Sequence, residues 1–210
     1  WQYATELAKA LAPLGVETTI AVLGPAPHTA QLAHLPPLSF GEREIRVIPT
    51  NLPLDWLSPS PDHVLTAAQA VADLVRELRA DIVHLNSPTL AAHARFDQPV
   101  VAVAHGCVAT WWRAANGCDP DPGYRWQADL MRAGLLAADA AVAPSASFAA
   151  DLQATYALPT APLAIHNGRA PLAVGAGAPA AHAFTAGRLW DRVKNAAVLD
   201  RVAARLSVPF

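Results

Sequence analysis

The residues with the most chemical potential stand near the end of the chain, in Gly187-Arg188-Leu189-Trp190-Asp191-Arg192-Val193-Lys194-Asn195. The pattern predicts a strand ending at Gly187, where a missing Cβ lets a ligand come close. A helix should follow, with Asp191 as its N-cap and Lys194 in its first turn. A guanidinium fork, an ammonium point charge and the free N–H groups of a helix start would then converge, which suits a diphosphate. Two solvated surface cations ahead of an ordinary helix would show the same spacing. The chain is lysine-poor: its 15 basic residues include just two lysines, Lys9 and Lys194.

His105 is the second candidate. It ends a predicted central strand over residues 99–104, and open α/β sheets place their ligands at the carboxyl ends of strands. That position suits contact with a ligand; the alternative is a strand-end histidine bonded to backbone. His84 and His166 read as structural. Asn167-Gly168 has the chemistry of a tight turn. Trp111, Trp112 and Arg113 follow His105 on what reads as a loop above the sheet. Packing is expected for one of the two tryptophans. Trp190 is expected to pack inward. Cys107 and Cys118 bracket the tryptophans without metal-ligand spacing, so both read as free thiols in a reducing compartment.

These residues need elements to hold them. Residues 1–14 have helical spacing, with Tyr3, Leu7, Leu11 and Leu14 on one side and Gly15 as the stop. Residues 16–23 and 44–49 read as strands. Ser60-Pro61-Asp62 opens a helix whose apolar face is Val64, Leu65, Ala68, Val71, Val75 and Leu78. Strands follow at 81–85 and 99–104, suited to burial on both faces. A helix at 124–138, a strand at 140–143, a helix at 147–156 and a strand at 163–166 continue the alternation. Strands separated by helices predict an α/β fold with a doubly wound, Rossmann-like parallel sheet. Residues 169–181, rich in Gly, Ala and Pro, read as a linker. A strand over 183–189 and a helix over 192–206 then begin a second unit, which should dock on the first if it is to bury anything.

Composition agrees and excludes some partners. Hydrophobic residues are 53% and charged residues 15% of the 210, which fits a filled interior rather than a disordered tail. A formal net charge of −2 gives no electrostatic case for nucleic acid. No apolar run is long enough to span a membrane, and the cytoplasm is the default location.

The 187–195 segment resembles the phosphate-binding motif of the retaining GT-B glycosyltransferases of group 1, or family GT4, where G-R-L-x-x-x-K opens the donor lobe. Other stretches resemble that family in its order. Trp1-Gln2-Tyr3 through Leu14-Gly15-Val16 looks like its first helix and second strand. Asp81-Ile82-Val83-His84 resembles its D-[IV]-[IV]-H strand, and Val101 through Gly106 its strand ending in a cleft histidine. Ala140 through Ser145 looks like its strand ending in serine, and Ile165-His166-Asn167-Gly168 resembles its V-x-N-G turn. Asn167-Gly168-Arg169-Ala170 departs from the usual N-G-[VI]-D.

The resemblance implies an acceptor-side Rossmann-like lobe over 1–168, a linker at 169–181 and the start of a donor lobe at 182–210. It implies transfer of a sugar from a nucleotide-sugar to a carbohydrate or lipid-linked acceptor hydroxyl, with retention at the anomeric carbon. Arg188, Lys194 and Gly187 would bind the donor diphosphate, and His105 would lie by the transferring sugar. Gly106, Asn167 and Gly168 would line the cleft, and Trp111 or Trp112 could stack on a sugar. The cations would do the work of a metal, so no obligatory metal or other cofactor is expected. Peripheral membrane association is compatible with a lipid-linked acceptor, although no basic amphipathic helix supports it. The family's Gly-rich loop and first strand would precede Trp1 and its E-x(7)-E segment would follow Phe210, so these residues alone are expected to be inactive. A GT-B sugar-nucleotide epimerase and a non-catalytic α/β binding module remain the alternatives.

Overall fold

A computed structural model of the chain describes residues 1–33, 45–171 and 180–210. Helix α1 (Gln2–Leu11) runs into a 3-10 turn, Ala12–Leu14, and stops at Gly15. Gly15 has φ 84°, a left-handed conformation that costs glycine little, and its N–H returns to the Ala12 carbonyl. Strand β1 (Thr18–Val22) follows, then a short helix α2 (Thr29–Leu32). Strand β2 (Ile45–Pro49) pairs with β1 in parallel. Glu44, expected to start this strand, lies outside the described residues.

Helix α3 (Pro61–Leu78) buries Val64, Ala67, Ala68, Val71, Ala72 and Val75 along one face, as its spacing requires. Proline stands in the first turn, but the Ser60 hydroxyl lies 2.9 Å from His63 Nδ1 and caps no backbone N–H. Strands β3 (Val83–Leu85), β4 (Val100–Val103), β5 (Ala140–Ala143) and β6 (Leu163–Ala164) form a four-stranded parallel sheet in that order. Helices α4 (Val108–Asn116) and α5 (Arg125–Ala137) connect β4 to β5, and α6 (Ala146–Tyr156) connects β5 to β6. This is the parallel, helix-covered α/β architecture that the alternation predicts.

Two apolar clusters make the core. One joins α3 to β3, Leu90, Ala91 and Val100; the other joins Ala104 and Ala143 to Met131, Leu135, Leu152 and Tyr156. Burial on both faces holds for β4 but weakens outward: both residues of β6 are exposed, as befits an edge strand of two residues. Among the described residues the strands form two separate sheets, β1-β2 and β3-β4-β5-β6, rather than one. No helix among them is long and apolar enough to cross a membrane.

The C-terminal segment differs from expectation in two ways. Residues 183–189 form no strand. A strand needs a partner along its length, and here the Ala183 N–H reaches Pro209 O while the N–H groups of Leu189 and Asp191 turn back to Gly187 and Arg188. The expected helix over 192–206 is broken: a 3-10 turn, Arg192–Lys194, ends at Asn195 in a left-handed conformation (φ 50°), and helix α7 (Ala196–Ala203) starts after it. Asparagine tolerates that conformation better than most residues. Lys194 therefore precedes the helix instead of lying in its first turn.

Helix α5 is held close to the 3-10 turn Pro88–Ala91 through Gly134, where an added Cβ would collide with the Pro88 carbonyl oxygen. That atom is backbone and cannot swing aside. Gly134→Ala should therefore destabilise the protein by about 1–3 kcal/mol, the usual cost of overpacking. The gain in helix propensity, up to about 1 kcal/mol, acts the other way and is smaller. A urea midpoint that stays put or rises would show that α5 does not depend on this approach.

Candidate functional site

Because β3, β4 and β5 are parallel, their carboxyl ends open on one edge of the sheet. His84 and Asn86 come from the end of β3, and His105 follows β4. Strand side chains alternate, so His84 and Asn86, two apart, leave on the same face. The His105 Nε2 lies 3.3 Å from Asn86 Oδ1. Helix α1 adds Tyr3, whose hydroxyl is 3.3 Å from His84 Nε2 and whose ring meets His105 edge-on at 4.3 Å between centroids. His84 and His105 thus share Tyr3 as a neighbour. His105 is held by side chains and not by backbone.

Each imidazole keeps a solvent-facing edge, yet the surrounding protein penalises its charged form. Desolvation is the main cause that lowers both pKa values below 6.5, and repulsion from His105 adds to it at His84. With the Asn86 amide oriented as here, Oδ1 can only accept, so Nε2 of His105 carries the hydrogen and Nδ1 keeps a lone pair. A neutral imidazole with a fixed tautomer can take a hydrogen bond from a hydroxyl group. Tyr3 and Asn86 were not singled out from the sequence. The i, i+2 relation of His84 and Asn86 was the available signal.

One turn further along, α1 reaches the loop after β6. Glu6 accepts hydrogen bonds from Lys9 Nζ at 3.0 Å and from the Ala170 N–H at 3.2 Å, and the Lys9 bond leads in lowering its carboxyl pKa. The same loop carries Asn167 and Gly168. Both are exposed, and residues 165–170 form no turn, so the expected tight turn is absent. Gly106 is exposed beside His105.

Trp111 and Trp112 are on helix α4, not on a loop; Gly117 (φ 73°) closes that helix and was the signal for it. Trp112 packs against Tyr124 at 5.0 Å between ring centroids. Trp111 instead points its Nε1 at Asp191 Oδ1, 3.2 Å away. Asp191 is only 6% exposed. It also accepts from the Val193 N–H at 3.3 Å and pairs with Arg188 at 3.0 Å. As predicted, Asp191 is a cap, but of the 3-10 turn. One residue along, Arg192 donates to Asn116 Oδ1 at 3.0 Å, so the segment is tied twice to α4.

Arg188 is 63% exposed, with Trp190 stacked on it at 5.6 Å. Trp190 is 79% exposed, contrary to the expected inward packing. The backbone passes from Arg188 to Asp191 to Lys194 in two successive i to i+3 turns, and Lys194 is exposed. Four residues separate Leu189 from Lys194, one more than in G-R-L-x-x-x-K. Both cysteines are free. A further cleft of about 410 Å³ lies at the amino ends of β4 and β5, lined by Arg95, Asp97, Gln98 and Asp139, away from these groups.

Residues 1–169 match the family model described as Glycosyltransferase Family 4. No curated protein matches the chain.

The lowered histidine pKa values give the protein's stability a definite pH dependence. The unfolded chain takes up protons near 6.5, which folded His84 and His105 accept only at lower pH. Stability should therefore fall as pH drops through that range and be unaffected by these groups above it. Melting temperatures from about pH 7.5 to about pH 5.5 test this in the wild type and in the His84→Gln, His105→Gln double variant. The fall should be shallower in the variant; equal slopes would refute the assignment.

Proposed function

The chain belongs to glycosyltransferase family 4, and from that premise we propose that it serves a retaining, nucleotide-sugar-dependent transferase of GT-B architecture. A glycosyl group passes from the donor to an acceptor hydroxyl, and residues 1–168 contribute the acceptor side while 182–210 begin the donor side. The observation that carries this reading is the seating of the 187–194 segment, which carries the exposed Arg188 and Lys194, on the helix that directly follows His105. On this reading the sugar-contacting histidine and the diphosphate-binding cations are linked through helix α4, which starts three residues after His105 and holds Asp191 and Arg192.

The physical difficulty of such a transfer is charge. As the glycosidic bond to the diphosphate breaks, the leaving group becomes more negative. Arg188 and Lys194 stabilise that charge as it develops, which lowers the barrier more than it tightens the ground state. Gly187 leaves room for the phosphates to approach the backbone. His105, neutral at pH 7 and with Nδ1 free to accept, holds a sugar hydroxyl beside the reacting carbon. On this reading Gly106, Asn167 and Gly168, all exposed, contact the substrates.

Substitution in the intact enzyme tests the roles separately. Arg188→Ala and Lys194→Ala should each weaken donor binding by about 1.5–3 kcal/mol, the worth of a charge-assisted hydrogen bond. That is roughly 10- to 150-fold in Kd. His105→Ala should leave donor affinity within about 2-fold and cut turnover by about 100-fold, as loss of one transition-state contact does. Unchanged donor affinity in both cation variants would defeat the diphosphate assignment.

A further inference from the structure

We propose that Trp111 and Asp191 are positioning residues for the donor site, so that a helix of the acceptor-side unit sets the aim of the cation that receives the diphosphate. The proposal rests on the diphosphate role of Arg188 given above, and it assigns that role a control from the other side of the cleft.

Asp191 is the buried charge of this region. Its two oxygens are used differently. Oδ1 accepts from Trp111 Nε1 at 3.2 Å and from the Val193 N–H at 3.3 Å, while Oδ2 faces the Arg188 guanidinium at 3.0 Å. A buried carboxylate needs such donors to offset its desolvation. With Oδ1 fixed from two directions, the carboxylate plane is set, and with it the direction in which Oδ2 draws the guanidinium. Trp190 stacks on Arg188 and restricts it further. The side chain nevertheless remains 63% exposed, so donors not spent on Asp191 stay available to an anion. An arginine oriented in advance loses less freedom on binding than a loose one.

Trp111 is the component of this relay that comes from far away in the chain, 80 residues before Asp191. Its loss would leave Oδ1 with a single long bond, so that the carboxylate turns toward water and takes Arg188 with it. The segment itself would stay in place, because Arg192 still holds Asn116. Trp111→Phe therefore keeps the ring on α4 and removes one N–H.

The test is isothermal titration of the intact protein with UDP, GDP and ADP, using the tightest binder for a variant cycle. Arg188→Ala should weaken it roughly 10- to 150-fold and Trp111→Phe about 3- to 10-fold. In the Arg188→Ala background Trp111→Phe should add nothing, because its effect passes through the guanidinium. A 3- to 10-fold loss that persists without Arg188 would mean that Trp111 only holds the segment down, and would overturn the proposal. So would an unchanged affinity in Trp111→Phe while Arg188→Ala binds weakly; the diphosphate reading would then survive alone. If Arg188→Ala binds as well as wild type, the diphosphate reading fails and this inference with it. Asp191→Asn, which keeps the shape but loses the charge facing Arg188, provides a second cycle should Trp111→Phe fail to fold. It too should cost about 3- to 10-fold only when Arg188 is present.

Discussion

Parallel pairing is the constraint from which the rest of the structure follows. A parallel strand cannot turn directly into its neighbour, so each return must cross the sheet through helix or loop. The β3–β4–β5 ladder therefore brings helices against the sheet and delivers successive strand ends to one edge. His84, Asn86 and His105 gather there because of that geometry, although His105 comes 19 positions after Asn86 in the chain. The close approach of α5 at Gly134 belongs to the same economy of space. A layer of helices can cover short strands only where the backbones are allowed to meet.

Charge is organised by a different means. The one carboxylate that is buried among the described residues sits at the seam between α4 and the C-terminal segment, and it is satisfied by donors from both sides. Such a group adds little net stability once desolvation is counted, but it fixes geometry strictly. Arg188 inherits its orientation from that arrangement, whereas the exposed Lys194 side chain, on the following turn, has no comparable partner among the described residues. The two cations are thus unlike in freedom as well as in chemistry.

Much of the fold was legible because its signals are local. The apolar face of α3, the stop at Gly15 and the strand-ending Pro144-Ser145 depend on residues a few positions apart, and each appears where the pattern puts it. What was hidden depends on distant partners. The division into two sheets cannot be read from strand periodicity, since periodicity says nothing about which strands meet. The helix after Asp191 looked continuous because propensity does not register a single left-handed Asn195. In the site, His105 and Arg188 stood out by type and position, while Tyr3 and Asn86 did not, and Trp111 stood out for its ring and not for its N–H. Their importance lies in contacts spanning tens of residues, and a tryptophan on a helix face looks the same whether its N–H meets solvent or a buried acid.

Helix α1 carries one more consequence. Tyr3 and Glu6 lie a turn apart on it, the first against the two histidines and the second on the backbone of Ala170. The imidazole pair and the polypeptide leaving β6 thus share one stiff rod as their common support.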